Sequence, residues 1–270
     1  MSHPTRPRPT DDFEGDAAPA MVPREHGAWG QLLTPLVTGL AMGHGTLDAA
    51  GFSLAAVLAF VAHEPLLVAL GHRGGRAQTR FGALAWKRTV IRGGAALGVG
   101  VASCLHAPND ARLATLVALA MVVLSAPFVL TRRERTTAGE TVLASTLASA
   151  AVPVAIAGGV SWHGALMAWG LWSLHGLLAT LSVRGMIFRQ RKTATMHLSV
   201  AGAVAGALAL VAAAKLATQN PWLVLAMAPC GVLAVAFALR PVAPAHLRRV
   251  GWVLVVASLL TAVGIGLGAA

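Results

Sequence analysis

Three ionisable side chains stand inside long apolar runs of this 270-residue sequence: His63 and Glu64, with Pro65 directly after them, and His175, with Gly176 after it. Placing a charged side chain at the centre of a membrane helix costs roughly 2.5 to 3.5 kcal/mol on insertion scales, so such groups persist where they are used. In apolar surroundings a carboxylate or an imidazole is suited to general acid–base catalysis or to proton relay. Glu64, with His63 and His175, is therefore the candidate catalytic set. A second set is suited to binding anions. Arg184 closes the run that holds His175, and Arg88, Arg92, Arg133 and Arg135 stand in neighbouring connections. Their planar guanidinium forks bind phosphate oxygens in pairs, without a metal. Arg24, Glu25 and His26, in the stretch PREHGAWGQLLTP, complete the candidate ligand-binding residues. Positions 175 and 184 lie two and a half helical turns apart, so each needs its own neighbour. Glu140, beside Thr136 and Thr137, has two open readings, a helix cap or a cavity wall.

The elements that must position these residues are membrane helices. Hydrophobic residues make up 56% of the chain and charged ones only 11%, with a mean hydropathy of +0.68. A soluble domain carries about 25% charged residues, so this chain lacks the polar surface to cover a globule in water. Apolar spans fall at 26–43, 49–71, 89–106, 112–131, 140–158, 163–183, 195–215, 221–240 and 248–268, each close to the roughly 20 residues that cross a bilayer. The expected fold is all-α, a polytopic bundle of about nine transmembrane helices over 23–270. Residues 1–22 carry four prolines and the acids Asp11, Asp12, Glu14 and Asp16, a composition expected of a disordered cytoplasmic tail.

Nineteen of the 21 basic residues fall in alternate connections, against Arg112 and Lys215 on the other side. The positive-inside rule then places the N-terminus in the cytoplasm and, after nine passes, the C-terminus outside. Orientation explains the net charge of +11 without nucleic acid. A composition rich in Ala, Gly and Arg points to a bacterial cytoplasmic membrane. The longest basic connection, 72–92, holds Trp86 among its arginines and is expected to form a short interfacial helix. Gly27 and Ala28 are expected to permit close packing of the first span. Cys104 and Cys230 have no metal-ligand spacing, and no two histidines stand three or four apart, so neither metal nor haem is expected.

The PREHGAW stretch resembles the opening motif of the YwiC-like family of bacterial integral membrane proteins. His-Glu-Pro-Leu-Leu at 63–67, Trp86-Lys87-Arg88 and Val183-Arg184-Gly185-Met186-Ile187 are similar to that family too. The resemblance implies a membrane fold and names no reaction. At the level of fold the chain also resembles the UbiA-type intramembrane prenyltransferases, which have nine helices and a cytoplasm-facing site near the ends of the second and sixth. Their two Asp-rich motifs hold Mg2+ and a prenyl diphosphate. No Asp follows Asp110 here, so Mg2+ is not expected.

Two functions follow as expectations. One is a cytoplasm-facing basic cavity that binds or modifies an isoprenoid or phosphorylated lipid, as a UbiA-like transferase without its aspartates if it is an enzyme. The other is a small proton-coupled transporter with His63, Glu64 and His175 as the relay, although nine spans do not divide into two equal repeats.

Overall fold

The computed structural model describes residues 21–23, 26–190, 196–240 and 246–268. The expected tail up to residue 20, together with Arg24 and Glu25, lies outside the described residues. Among the described residues ten helical segments follow one another: α1 (His26–Met42), α2 (Leu47–Ala69), α3 (Gly75–His106), α4 (Asn109–Leu130), α5 (Thr137–Ser149), α6 (Ala151–Ala157), α7 (Trp162–Gln190), α8 (Met196–Leu216), α9 (Pro221–Leu239) and α10 (Leu247–Gly268). Among the described residues there is no strand.

Segments α5 and α6 are two halves of one pass, so the ten segments make nine traverses. The break at Ala150 has a covalent cause. Pro153 cannot donate to the carbonyl of Ser149 and its ring crowds that turn. Eight of the nine traverses are long and apolar enough to cross a membrane, and α1, at 17 residues, is the short one. The protein is a multi-pass membrane protein. Side chains such as Leu97, Leu105, Leu116 and Val123 point outward, as a lipid-facing surface requires.

Hydrogen bonds between connections show which of them share an end of the bundle. At one end His44 N–H donates to Gly158 O (2.7 Å), joining the α1–α2 and α6–α7 connections, and Asn220 Nδ2 donates to Gly268 O (2.7 Å). At the other end Met21, the α2–α3 turn, the α4–α5 turn and the end of α7 meet through arginines described below. This second end carries the basic connections, in the alternation that the charge distribution requires.

The expected short helix at 72–92 is not separate. Residues 75–106 form one helix of 32 residues, about 48 Å long at 1.5 Å per residue. Nothing from Arg76 to Arg92 breaks a helix: Ala, Arg, Gln, Leu and Lys are strong helix formers, and Gly82 alone interrupts them. The charged half is a direct extension of the membrane span, packed along α2. The turn before it is set by Gly71 (φ +76°) and Gly74 (φ +104°), conformations that a side chain would strain.

Close backbone approaches occur away from Gly27, which faces open space, in contrast to the expectation for the first span. A Cβ on Gly43 would stand 2.8 Å from the Cα and O of Gly158, and one on Gly206 would stand 2.7 Å from Gly231 O. Gly43→Ala is therefore expected to destabilise the bundle by about 1 to 3 kcal/mol through overpacking. Thermal unfolding in detergent checks this, with Gly27→Ala expected to leave the midpoint unchanged or raise it.

Candidate functional site at the basic end of the bundle

Pro65 inside α2 has no N–H to give to the carbonyl of Val61, one turn earlier. Arg92 of α3 supplies the missing donor. Its Nη1 lies 3.3 Å from Val61 O and 2.7 Å from Met21 O, so one guanidinium joins α2, α3 and the chain leading into α1. Met21 itself is buried against Val68, Ala69, Phe81 and Ala85. Beside this junction Trp29 donates from Nε1 to Pro23 O (2.9 Å) and meets Phe60 edge-on, with 4.9 Å between ring centroids.

Next to Pro65, Glu64 is held from both sides of its carboxylate. Arg73 Nε donates to Oε1 at 2.8 Å and Nη2 to Oε2 at 2.6 Å, a bidentate pair that closes the α2–α3 turn. Both side chains are largely buried, Arg73 at 27% exposure and Glu64 at 15%. His63 lies within electrostatic reach of Glu64, Arg73, Glu134 and His72. Two buried polar atoms in that group, His72 Nδ1 and Glu134 Oε2, have no protein partner among the described residues. Glu134 belongs to the α4–α5 turn, which Arg132 (φ +58°) bends back to the bundle, donating from Nη2 to Gly71 O at 3.3 Å.

The same turn leads to a second ion pair. Arg184 of α7 donates from Nε to Glu140 Oε2 (2.6 Å) and from Nη2 to Glu140 Oε1 (2.8 Å), and also to the carbonyl of Arg135. The cap of α5 is Thr136, whose Oγ1 accepts from Gly139 N–H at 3.1 Å, so Glu140 is the partner of Arg184 and not the cap. Arg133 stands in the same turn, where its N–H bonds Phe128 O (2.7 Å), and Arg88 lies one turn from Arg92 on α3. His63, Glu64 and Arg92 thus stand at the α2–α3 junction, and Arg184 meets the α4–α5 turn that carries Arg133 and Arg135, two groups that make up the polar layer at this end.

His175 stands apart, about 13 Å deeper along α7 than Arg184. Its Nδ1 lies 3.1 Å from Thr261 Oγ1 and 3.1 Å from Cys230 Sγ, and its Nε2 lies 3.0 Å from Ser258 Oγ. Trp172 packs edge-on against the ring. These contacts brace α7 against α9 and α10 and do not reach Glu64. Nothing is described of the His26 side chain. An apolar groove of about 690 Å3 between α9 and α10 is lined by Trp222, Pro229, Val232, Val256 and Leu260, among others, and by none of the predicted site residues.

A model of the family described as YwiC-like protein matches residues 22–156, half of the chain. The chain belongs to the YwiC-like family. No curated protein and no solved structure matches it. The match spans α1 to α6, so in this YwiC-like chain Glu64, Arg73, Arg92, Glu134 and Glu140 lie within the matched residues, whereas His175 and Arg184 lie beyond them.

In this YwiC-like protein both acids, Glu64 and Glu140, are clamped by guanidinium groups. Among the described residues no cluster of His, Cys, Asp and Glu has the arrangement of a metal site. Sequence reasoning missed Arg73 and Glu134, because ion pairing across a turn or between helices leaves no periodic signal. It missed Ser258, Thr261 and Cys230 for the same reason. In a double-mutant cycle, Glu64→Gln and Arg73→Ala are each expected to destabilise, and their combination to cost less than the sum, with a coupling of about 1 to 3 kcal/mol. Additive effects in detergent unfolding would contradict the pair.

Proposed function

We propose that this YwiC-like membrane protein binds a phosphorylated lipid by its headgroup at the basic end of the bundle. The lipid would lie in the cytoplasmic leaflet of a bacterial inner membrane, with the N-terminus on the cytoplasmic side. The observation that carries the reading is the layout of α3. Residues 93–106 carry no Asp, Glu, Lys or Arg, while Arg76, Arg80, Lys87, Arg88 and Arg92 crowd the other half. Trp86, half exposed, and Lys87 stand about 29 to 30 Å from the far end of the helix, close to the thickness of a bilayer core. Trp and basic side chains at that depth suit the headgroup region, and each basic one is worth about 1 kcal/mol beside an anionic surface.

The two bidentate pairs hold the layer rigid, so the arginines around it are positioned before a ligand arrives. Buried His72 Nδ1 and Glu134 Oε2 would bond the polar part of a headgroup. The positive-inside rule supports the cytoplasmic placement. With Glu64 and Glu140 both paired, a proton relay gains no support from the geometry.

The test is lipid retention in nanodiscs of neutral phosphatidylcholine doped with phosphatidylglycerol or with a polyprenyl phosphate. Selective retention of either is expected, with the two arms telling a glycerolipid from an isoprenoid source. Lys87→Ala is expected to weaken it about five-fold, the equivalent of 1 kcal/mol, and EDTA to leave it unchanged. Equal retention of neutral and anionic lipid, insensitive to Lys87→Ala, would overturn the proposal.

A further inference from the structure

The α2–α3 and α4–α5 turns meet at the basic end, joined where Arg132 Nη2 donates to Gly71 O at 3.3 Å. One polar atom from each turn is buried without a partner among the described residues, His72 Nδ1 from the first and Glu134 Oε2 from the second. Both side chains act electrostatically on His63, as Glu64 and Arg73 do, so the four surround one point. Glu64 has each of its carboxylate oxygens bonded by Arg73, and Glu140 each of its own by Arg184, whereas Oε2 of Glu134 is left open. A carboxylate oxygen only accepts, and a buried acceptor without a donor loses its hydration and gains nothing in return.

The group that completes Glu134 must therefore bring a donor. A phosphodiester alone does not, because its oxygens also only accept and carry the same sign of charge. An ammonium is disfavoured by the cations of both turns, Arg73, Arg132 and Arg133. A neutral hydroxyl on an anionic phosphodiester meets both demands, with the phosphate beside the exposed Arg132 and Arg133 and the hydroxyl turned inward. We propose that the headgroup bound here is a polyol phosphodiester, glycerol phosphate being the simplest, whose hydroxyl donates to Glu134 Oε2. His72 Nδ1, a donor or an acceptor according to its tautomer, bonds the same hydroxyl or its neighbour. The exposed Arg132 side chain, on its long bond to Gly71 O, swings aside to admit it. The inference rests on the lipid-binding reading above and narrows it to one class of headgroup.

A site built to bond a hydroxyl rejects the analogue that lacks it. The test compares phosphatidylglycerol with phosphatidylmethanol, a phosphodiester of the same charge without a hydroxyl, each doped into phosphatidylcholine discs holding the full chain. Retention of phosphatidylglycerol is expected to be about ten-fold the greater, the ratio that one hydrogen bond to a charged group supplies. Glu134→Leu is expected to make the two lipids equal, and Glu134→Gln, which keeps an acceptor oxygen, to preserve part of the preference. Equal retention of both phosphodiesters by the wild type, each above phosphatidylcholine, overturns the hydroxyl assignment and leaves the lipid-binding reading standing. A preference that survives Glu134→Leu overturns the assignment to Glu134, and phosphatidylethanolamine retained above phosphatidylglycerol overturns the choice of a hydroxyl over an ammonium. Retention of neither phosphodiester above phosphatidylcholine overturns both the inference and the reading beneath it.

Discussion

A single unsatisfied carbonyl organises the basic end of this protein. Pro65 strips Val61 O of its helical donor, and in an apolar medium such a group costs several kcal/mol unless something bonds it. Arg92 does so from the neighbouring helix and bonds Met21 O as well. That requirement fixes the register of α3 against α2 and the point at which the chain enters the bundle. It also explains why α3 carries charge so close to its membrane-spanning half. A guanidinium there is needed by the backbone before it is available to any ligand.

From that junction the polar layer grows by the same rule, with each charged group brought in beside a group that satisfies it. Arg73 holds Glu64 across a turn made possible by Gly71 and Gly74, and Arg184 holds Glu140 between α7 and α5. The α4–α5 turn lies between the two pairs, reaching Gly71 O through Arg132 and Arg184 through the carbonyl of Arg135. The opposite end is closed by neutral contacts, His44 with Gly158 and Asn220 with Gly268. The bundle is therefore polar and cross-linked at one end and apolar and close-packed through its middle. Its second internal polar group, around His175, is satisfied by hydroxyls and a thiol from α9 and α10 and acts as a brace.

Much of this was legible in the sequence, and the parts that were not share a physical cause. Nine apolar traverses and their alternating charge follow from run length and composition, which need no tertiary information. The freed carbonyl was legible too, because Pro65 announces it. The identity of its donor was not, since Arg92 lies 31 residues from Val61 and any of several arginines would have served. The continuity of α3 was obscured by its own charges, which look like a break in a hydropathy profile although Arg, Lys and Ala all favour a helix. Glu64 and Arg184 stand out in the sequence as charged groups within or closing apolar runs, and each is found in an ion pair. The pairing of Arg73 with Glu64 and of Glu140 with Arg184 emerged only when folding closed the gaps of nine and 44 residues between them.

The most direct test of this account is a double-mutant cycle between Pro65 and Arg92, read by unfolding in detergent. Pro65→Ala restores the N–H that bonds Val61 O, so the stability lost on Arg92→Leu should be smaller in that background than in the wild type. A coupling of about 1 kcal/mol or more is the predicted result. If Arg92→Leu costs the same with and without Pro65, the guanidinium does not answer the freed carbonyl, and the account of how α2, α3 and the N-terminal segment are joined is wrong.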